Sequence, residues 1–162
     1  MAIHQGPSMA PTLSSVTATA DKWIDIPLSA FGTSYTDPDG LWDIPTGEYI
    51  SSTVDGHLRI AYLPVKAGDV FDKIRIDYQA LGLNDAINLR VVKRAAAAAG
   101  WTAIAYPAAT FGSLVQAATQ VTLTAPETAV EGTVYALELI LNVATTGVKI
   151  FGAGVHTTSR SL

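Results

Sequence analysis

Cysteine is absent from this chain of 162 residues. Its absence excludes disulfide bonds, thiolate catalysis and zinc sites with cysteine ligands, and it fits assembly in a reducing cytoplasm. Charge is also scarce, because charged residues make up 15% of the chain against roughly 25% in an average soluble domain. The net charge of −4 and the lack of any basic run argue against a nucleic-acid partner. Since 49% of the residues are hydrophobic, we expect partners to cover part of the surface.

Residues 1–20 contain no charged side chain, and two prolines break any helix there. We expect neither a secretory signal peptide nor a myristoylated start, because the first cation is Lys22 and Ala2 follows Met1. The segment can bury too little apolar surface alone to offset the entropy of ordering it. It is therefore predicted to be an extended arm that docks on a neighbouring subunit. Its predicted partner-binding side chains are the larger apolar ones, Ile3, Met9, Leu13 and Val16.

A second uncharged stretch runs from Ala95 to Pro126. Glycine, proline and several threonines interrupt it, and alanine is more frequent there than leucine or isoleucine. The stretch therefore lacks the roughly 20 strongly apolar residues that a membrane-spanning helix requires. We predict a strand, a loop and a strand that are partly buried at an interface, and no membrane partner.

Hydrophobic residues recur with a period of two, which is typical of half-buried antiparallel strands. In residues 69–79, for example, one face is predicted to carry Val70, Ile74, Ile76 and Tyr78. Eight or nine strands in one domain, 21–162, joined by long mixed connections, predict an all-β fold: an antiparallel β-sandwich, jelly-roll-like, with an extended N-terminal arm. The predicted strands are 22–28, 47–54, 57–64, 69–79, 86–94, 100–106, 119–125, 132–143 and 147–157.

Turn-forming residues separate the predicted strands. Asp55-Gly56 and Thr146-Gly147 each predict a tight hairpin between the strands that flank them. The run from Ala95 to Gly100 predicts a link between two strands. A helix is the alternative there, but five alanines are too few to hold one alone. Three polar residues are predicted to cap turns: Asp69, Asn84 and Asp85.

The three histidines, His4, His57 and His156, are scattered and form no HExxH or HxH pattern. A catalytic serine or a metal requires a histidine with partners at fixed geometry, so we predict neither an enzyme nor a bound metal or other cofactor. A calcium site is the alternative in the acidic loop of residues 37–48. There we favour turn formers with solvated charges over calcium ligands. The carboxylates concerned are Asp37, Asp39, Asp43 and Glu48.

Aromatic residues leave another alternative open. Tyr35, Trp42 and Tyr49 flank the acidic loop, and Trp101 and Tyr106 follow the alanine run. Exposed aromatic rings would suit sugar binding by stacking. Tryptophan and tyrosine also fill sandwich cores and interfaces, and we favour this second use.

The whole pattern resembles the jelly-roll decoration or head-fibre proteins of tailed phages. The resemblance rests on the uncharged arm, on KWIDIPL, on LPVKAGDVFDKIRIDYQ with its AGD turn, and on YALELILNVATTGVKIFGAGVHT with its TTG turn. It implies a non-enzymatic structural protein of the virion, assembled in the host cytoplasm, that decorates or cements a bacteriophage capsid by binding across neighbouring capsid subunits.

The partners implied by this resemblance are the major capsid protein and other copies of this chain. A homotrimer or another homo-oligomer would match a local symmetry axis of the shell. The alternative function is a carbohydrate-binding adsorption module of a phage tail fibre or spike, which would use the region of Trp42 and Tyr35.

Overall fold

A computed structural model describes residues 21–33, 49–52, 55–56, 58–104 and 109–159. Within these residues the chain forms eleven β-strands and one 3-10 turn, Leu28–Ala30, and it contains no α-helix. This confirms the predicted all-β fold. The strands are β1 (Lys22–Ile26), β2 (Phe31–Thr33), β3 (Ile50–Ser52), β4 (Leu58–Tyr62), β5 (Val70–Ala80), β6 (Ala86–Ala95), β7 (Thr102–Ala103), β8 (Ala109–Phe111), β9 (Ala117–Thr128), β10 (Thr133–Asn142) and β11 (Val148–Ser159).

The strands form two antiparallel sheets. Sheet A has the order β1-β11-β5-β9, and β3 also pairs with β11. Sheet B has the order β2-β4-β10-β6-β7, and β8 also pairs with β6. The chain passes from one sheet to the other at every connection except β6–β7 and β7–β8. This alternation distinguishes a jelly roll from a meander, whose consecutive strands are paired neighbours.

The apolar faces of the two sheets meet in one core. In β10 the buried face carries Tyr135, Leu137, Leu139 and Leu141, as the alternation predicts. In β5, Ile74, Ile76 and Tyr78 are buried as predicted, but the prediction for Val70 is wrong. A register shift between Phe71 and Lys73 turns Phe71 into the core and leaves Val70 half-buried, because a bulge places an extra residue on one strand.

Both predicted hairpins are wrong, although their turns are in the right places. Gly56 and Gly147 have the positive φ values, 73° and 127°, that favour glycine. However, β3 and β4 lie in different sheets, and so do β10 and β11. Each turn therefore carries the chain from one sheet to the other. Strand pairing is decided by which long-range partner buries the apolar face, and turn chemistry fixes only the local reversal.

The alanine run after β6 forms a turn and not a helix, and it joins two paired strands as predicted. The second of these strands, β7, has two residues where seven were predicted. Two short strands, β2 and β8, were not predicted, and β9 is longer than expected. Within the described part of the chain, no helix is long and apolar enough to cross a membrane.

Asp85 fastens two of the crossing connections at one end of the sandwich. Its carboxylate is 1% exposed and accepts hydrogen bonds of 2.7 to 2.9 Å from the backbone N–H groups of Ala144, Thr145, Thr146 and Gly147. Burial alone would raise the pKa of this carboxyl group, but the four donors outweigh burial and lower its pKa from 3.8 to about 2. The predicted cap is thus confirmed, and it ties the β5–β6 connection to the β10–β11 connection.

Several predictions fall on residues outside the described ranges. These are the N-terminal arm with Ile3, Met9, Leu13 and Val16, the acidic loop with Asp37, Asp39, Asp43 and Glu48, and the side chains of His4, His57, Tyr35, Trp42 and Tyr106. They stay predictions.

Candidate functional site

An aromatic surface lies on the outer face of sheet B, the face turned away from the core. Tyr62 of β4 pairs with Ala136 of β10, which pairs with Val92 of β6, which in turn pairs with Ala103 of β7. Directly paired residues of antiparallel strands lie on the same face, so these four side chains form a row across the sheet. Tyr62 is 54% exposed, and its small neighbours in the row leave its ring accessible to solvent.

Trp101, which immediately precedes β7, contacts Tyr62 across this face. Their ring centroids lie 6.3 Å apart and the ring planes are inclined by 36°, which is within the range of favourable aromatic pairs. The guanidinium carbon of Arg94 lies 4.6 Å from the Trp101 ring centroid, a cation–π contact. We call Tyr62, Trp101 and Arg94 the aromatic platform. Its indole is held by the arginine, and its phenol ring is open to solvent.

Polar side chains border the aromatic platform along β6. Arg90 Nε donates to Glu138 Oε2 at 2.9 Å, and Arg90 Nη2 donates to the same oxygen. The arginine side chain is 48% exposed, whereas that of Glu138 is 6% exposed, so the guanidinium is the part of the pair that a ligand can reach. Further along the strand, Thr110 Oγ1 donates to Asn88 Oδ1 at 2.6 Å. Hydrogen-bonding groups therefore lie beside the apolar rings on one continuous sheet face.

His156 is the centre of a different group of side chains on sheet A. Its Nδ1 lies 2.6 Å from Asp72 Oδ1, and its Nε2 lies 2.6 Å from Asp21 Oδ1. The Trp23 ring packs against the imidazole with the centroids 5.1 Å apart. Because both ring nitrogens are already engaged within the fold, the geometry fits a residue that holds β1 against β11 and β5.

A shallow groove of about 260 Å³ lies on the same side of sheet A. Arg75 spans it, with Nη2 3.2 Å from Asp25 Oδ1 and Nε 3.7 Å from Asp77 Oδ2. The guanidinium carbon also lies 5.3 Å from the Trp23 ring. The charged groups of the groove are thus already matched to each other. Of the sequence-selected aromatics, Tyr49 packs on Phe151, with ring centroids 5.7 Å apart, which agrees with the favoured interpretation of that ring as packing.

Among the described residues, no group of three or more histidine, aspartate or glutamate side chains is placed to hold a metal ion. Sequence reasoning selected Trp101 but missed Tyr62 and Arg94. The available signal was the segment HLRIAYL, a predicted strand in which Tyr62 shares a face with Leu58 and Ile60. Which of its two faces turned outward was not decided by that pattern.

No protein-family model matches the chain, and no curated protein matches it. Solved structures with a similar fold include a family two carbohydrate esterase from Cellvibrio japonicus, at 9% identity and a TM-score of 0.54, over 86% of this chain and 34% of the esterase. A CBM4 carbohydrate-binding module is 16% identical with a TM-score of 0.49, over 88% of this chain and 93% of the module. The CBM22-1 xylan-binding domain from Paenibacillus barcinonensis is 11% identical with a TM-score of 0.48, over 86% of this chain and 88% of that domain.

At these identities the likeness concerns the fold alone, and the chain spans about a third of the length of the esterase. The protein is an antiparallel β-sandwich of the jelly-roll class. This likeness does not test capsid decoration, which stays a prediction.

Proposed function

We propose that the protein binds carbohydrate, without cleaving it, through the outer face of sheet B. The observation that carries this proposal is the aromatic platform, in which Tyr62 is 54% exposed and contacts Trp101 at a centroid distance of 6.3 Å. A large aromatic ring costs free energy when it is left in water, so its exposure on a regular strand calls for an explanation. A partner with a flat apolar surface provides one.

A sugar ring combines the two surfaces that this face complements. Its C–H groups form a flat apolar face that can lie on an aromatic ring, and its hydroxyl groups need hydrogen-bond partners at the rim. The face supplies such partners in the exposed guanidinium of Arg90 and in the Asn88–Thr110 pair. Because the sheet is regular, these groups are fixed before binding, which lowers the entropic cost of recognition.

Isothermal titration against a panel of soluble polysaccharides with different backbone sugars tests the proposal. We expect at least one of them to bind. We expect Tyr62→Ala to weaken that binding about tenfold or more, which corresponds to about 1.4 kcal/mol for the loss of an aromatic anchor. The melting temperature should change little, because more than half of the Tyr62 side chain lies outside the fold.

Tyr49→Ala is the matched control, because it removes the same side chain from a position next to the other sheet, where Tyr49 precedes β3 and packs on Phe151 of β11. It should leave the affinity unchanged. If Tyr49→Ala abolishes binding and Tyr62→Ala does not, the sugar lies near the acidic loop, as the region of Trp42 and Tyr35 would require. If no polysaccharide binds to the full chain, the proposal is wrong.

Capsid decoration is the second candidate function. It is favoured by the uncharged stretch from Ala95 to Pro126, in which Leu114 and Val115 are 48% and 71% exposed. Contiguous exposed apolar residues mark protein interfaces more often than free surface. Co-sedimentation of the protein with capsids that lack it would support this function. If these capsids bind the double variant Leu114→Ser, Val115→Ser equally well, the two side chains do not form part of a capsid interface.

A further inference from the structure

The open edge of β9 is the one long strand edge in the described fold. β9 has 12 residues, pairs with β5 and ends the order of sheet A. At the other side of that sheet, β1 has five residues and β3 has three. The outermost strands of sheet B, β2, β7 and β8, have three, two and three residues. Short edge strands are a common protection against unwanted pairing, and β9 lacks this protection.

The direction of the β9 hydrogen bonds follows from the two backbone bonds at the end of β5. Ala80 N–H donates towards the β9 side, to Ser113 O at 2.8 Å, and Leu81 N–H donates towards the β11 side, to Gly147 O at 2.9 Å. The backbone N–H and C=O groups of neighbouring residues point to opposite edges of a strand, so those of the even-numbered β5 residues point towards β9. In the observed register these residues pair with odd-numbered residues of β9, such as Thr119 opposite Ile76.

Up to Thr122, the even-numbered residues of β9 therefore turn their N–H and C=O groups towards the open edge; beyond Thr122 the register with β5 shifts. Their side chains are all exposed on the outer face of sheet A. These residues are Ala118, Gln120 and Thr122. In the described part of the chain, three residues thus present uncharged side chains, and backbone groups that pair with no neighbouring strand, along the same line.

The open edge also lacks the charges that usually keep strand edges apart. No residue from Ala95 to Pro126 is charged. By contrast, β1 carries Lys22 and Asp25. Lysine on an edge strand is one of the main devices that prevent pairing with a second chain, because a buried or apposed ammonium group is costly. Before Pro126, β9 carries neither a charge nor a proline.

We propose that the open edge of β9 pairs with β9 of a second copy of this chain, antiparallel across a twofold axis. With the axis at Val121, Gln120 of one copy faces Thr122 of the other, and Thr122 faces Gln120. These two pairs with two hydrogen bonds each give about four new backbone hydrogen bonds. Sheet A then continues from one copy into the other.

A second copy fits this edge better than a charged partner strand does. Two identical strands related by a twofold axis place each residue opposite a residue of the same uncharged set, so no like charges meet. Threonine and glutamine side chains opposite each other can also form hydrogen bonds across the new strand pair. The edge lies on sheet A, whereas the aromatic platform lies on sheet B, so this inference does not depend on the proposed function.

Sedimentation velocity of the full chain over about 5 to 500 μM tests the inference, since an interface of this small size is expected to bind in the micromolar range or weaker. We expect a dimer, twice the 17.0 kDa of one chain, to form as the concentration rises. Thr122→Pro removes an N–H group at the open edge, a position where an edge strand tolerates proline. It should weaken dimerisation at least tenfold.

Two further variants separate edge pairing from a general loss of folding. Thr122→Ala keeps the N–H group and should dimerise as the unchanged chain does. The double variant Gln120→Lys, Thr122→Lys keeps both N–H groups but places ammonium groups opposite each other, so it should be monomeric while its melting temperature stays near that of the unchanged chain. A chain that stays monomeric at about 500 μM, a trimer, or a dimer that survives both the proline and the double lysine substitution would overturn the inference.

Discussion

Asp85 allows the sharpest test of how this sandwich is held together. Replacing it with asparagine keeps the shape of the side chain but removes its charge and turns one acceptor oxygen into an NH2 donor. In the folded chain each carboxylate oxygen accepts two backbone N–H groups, with Ala144 and Thr145 on Oδ1 and Thr146 and Gly147 on Oδ2. The amide group of asparagine would therefore leave two N–H groups without an acceptor in a site that is 1% exposed.

The size of the effect follows from the pKa and from the donors that lose their partner. A pKa that falls from 3.8 in the unfolded chain to about 2 in the folded chain corresponds to about 2 kcal/mol of stability carried by the ionised carboxylate. Each buried N–H group that loses its acceptor costs about 1–3 kcal/mol. We therefore expect Asp85→Asn to lower the free energy of unfolding by about 3 kcal/mol at neutral pH.

The pH dependence has a defined sign. Because the folded pKa of Asp85 is lowered, its contribution is fully present above the unfolded value of 3.8 and is lost as the pH falls through about 2. Urea denaturation followed by tryptophan fluorescence, from about pH 7 to about pH 2, measures both chains. The difference between the unchanged chain and Asp85→Asn should be largest above about pH 4 and should shrink below it.

Asp55→Asn is the control for this experiment. Asp55 Oδ1 accepts one hydrogen bond, from Val143 N–H at 3.0 Å, at an exposed position of the same end of the sandwich. Its replacement should cost less than about 1 kcal/mol. A cost for Asp85→Asn no larger than that of the control, or a difference that stays constant down to about pH 2, would refute the reasoning.

Two further predictions concern buried polar side chains. His156→Ala should lower the free energy of unfolding by about 1–3 kcal/mol, because Asp72 loses the partner that lies 2.6 Å away. Equilibrium denaturation measures this loss. A smaller cost for His156→Gln would show that hydrogen bonding matters more than charge. Tyr135→Phe should cost about 1 kcal/mol, because Val130 N–H then loses its 3.1 Å acceptor. Burial raises the pKa of Tyr135 above the value of the unfolded chain. The phenol therefore contributes stability up to about pH 10, and this contribution is lost as the pH rises through the pKa of the folded chain. A Tyr135 phenol that titrates by absorbance like free tyrosine would contradict this.

The positions of most strands could be predicted from the sequence, because one face of each strand is more polar than the other. Leu137 and Leu139 alternate with Ala136 and Glu138 in β10, and only one arrangement of such a strand buries its apolar side chains. In β4 the alternation is ambiguous. Arg59 lies on the buried face, while Leu58, Ile60 and Tyr62 share the outer face, which reverses the assignment that hydropathy alone would favour.

Strand partners and the candidate site were beyond local reasoning for a physical reason. A turn sequence such as Thr146-Gly147 indicates that the chain reverses its direction, but it does not indicate whether the chain returns to the same sheet. Tyr62 and Trp101 are 39 positions apart in the sequence. Their rings meet on the outer face of sheet B, where β10 and β6 lie between β4 and β7. That neighbourhood depends on the order of strands in sheet B, which no short window of residues contains.

The position of β11 at the middle of sheet A has a consequence for the order in which the protein folds. β1, β3 and β5 all form their main sheet A contacts with β11, and the pair Lys22–Thr157 joins residues 135 positions apart. Until the ribosome has released β11, β1 and β3 have no described partner strand in their sheet. Long-range pairing of this kind slows folding, because the entropy of closing a long loop is lost before the contacts form. We therefore expect sheet A to assemble only after β11 has left the ribosome, with apolar strands exposed for longer than in a protein built from hairpins.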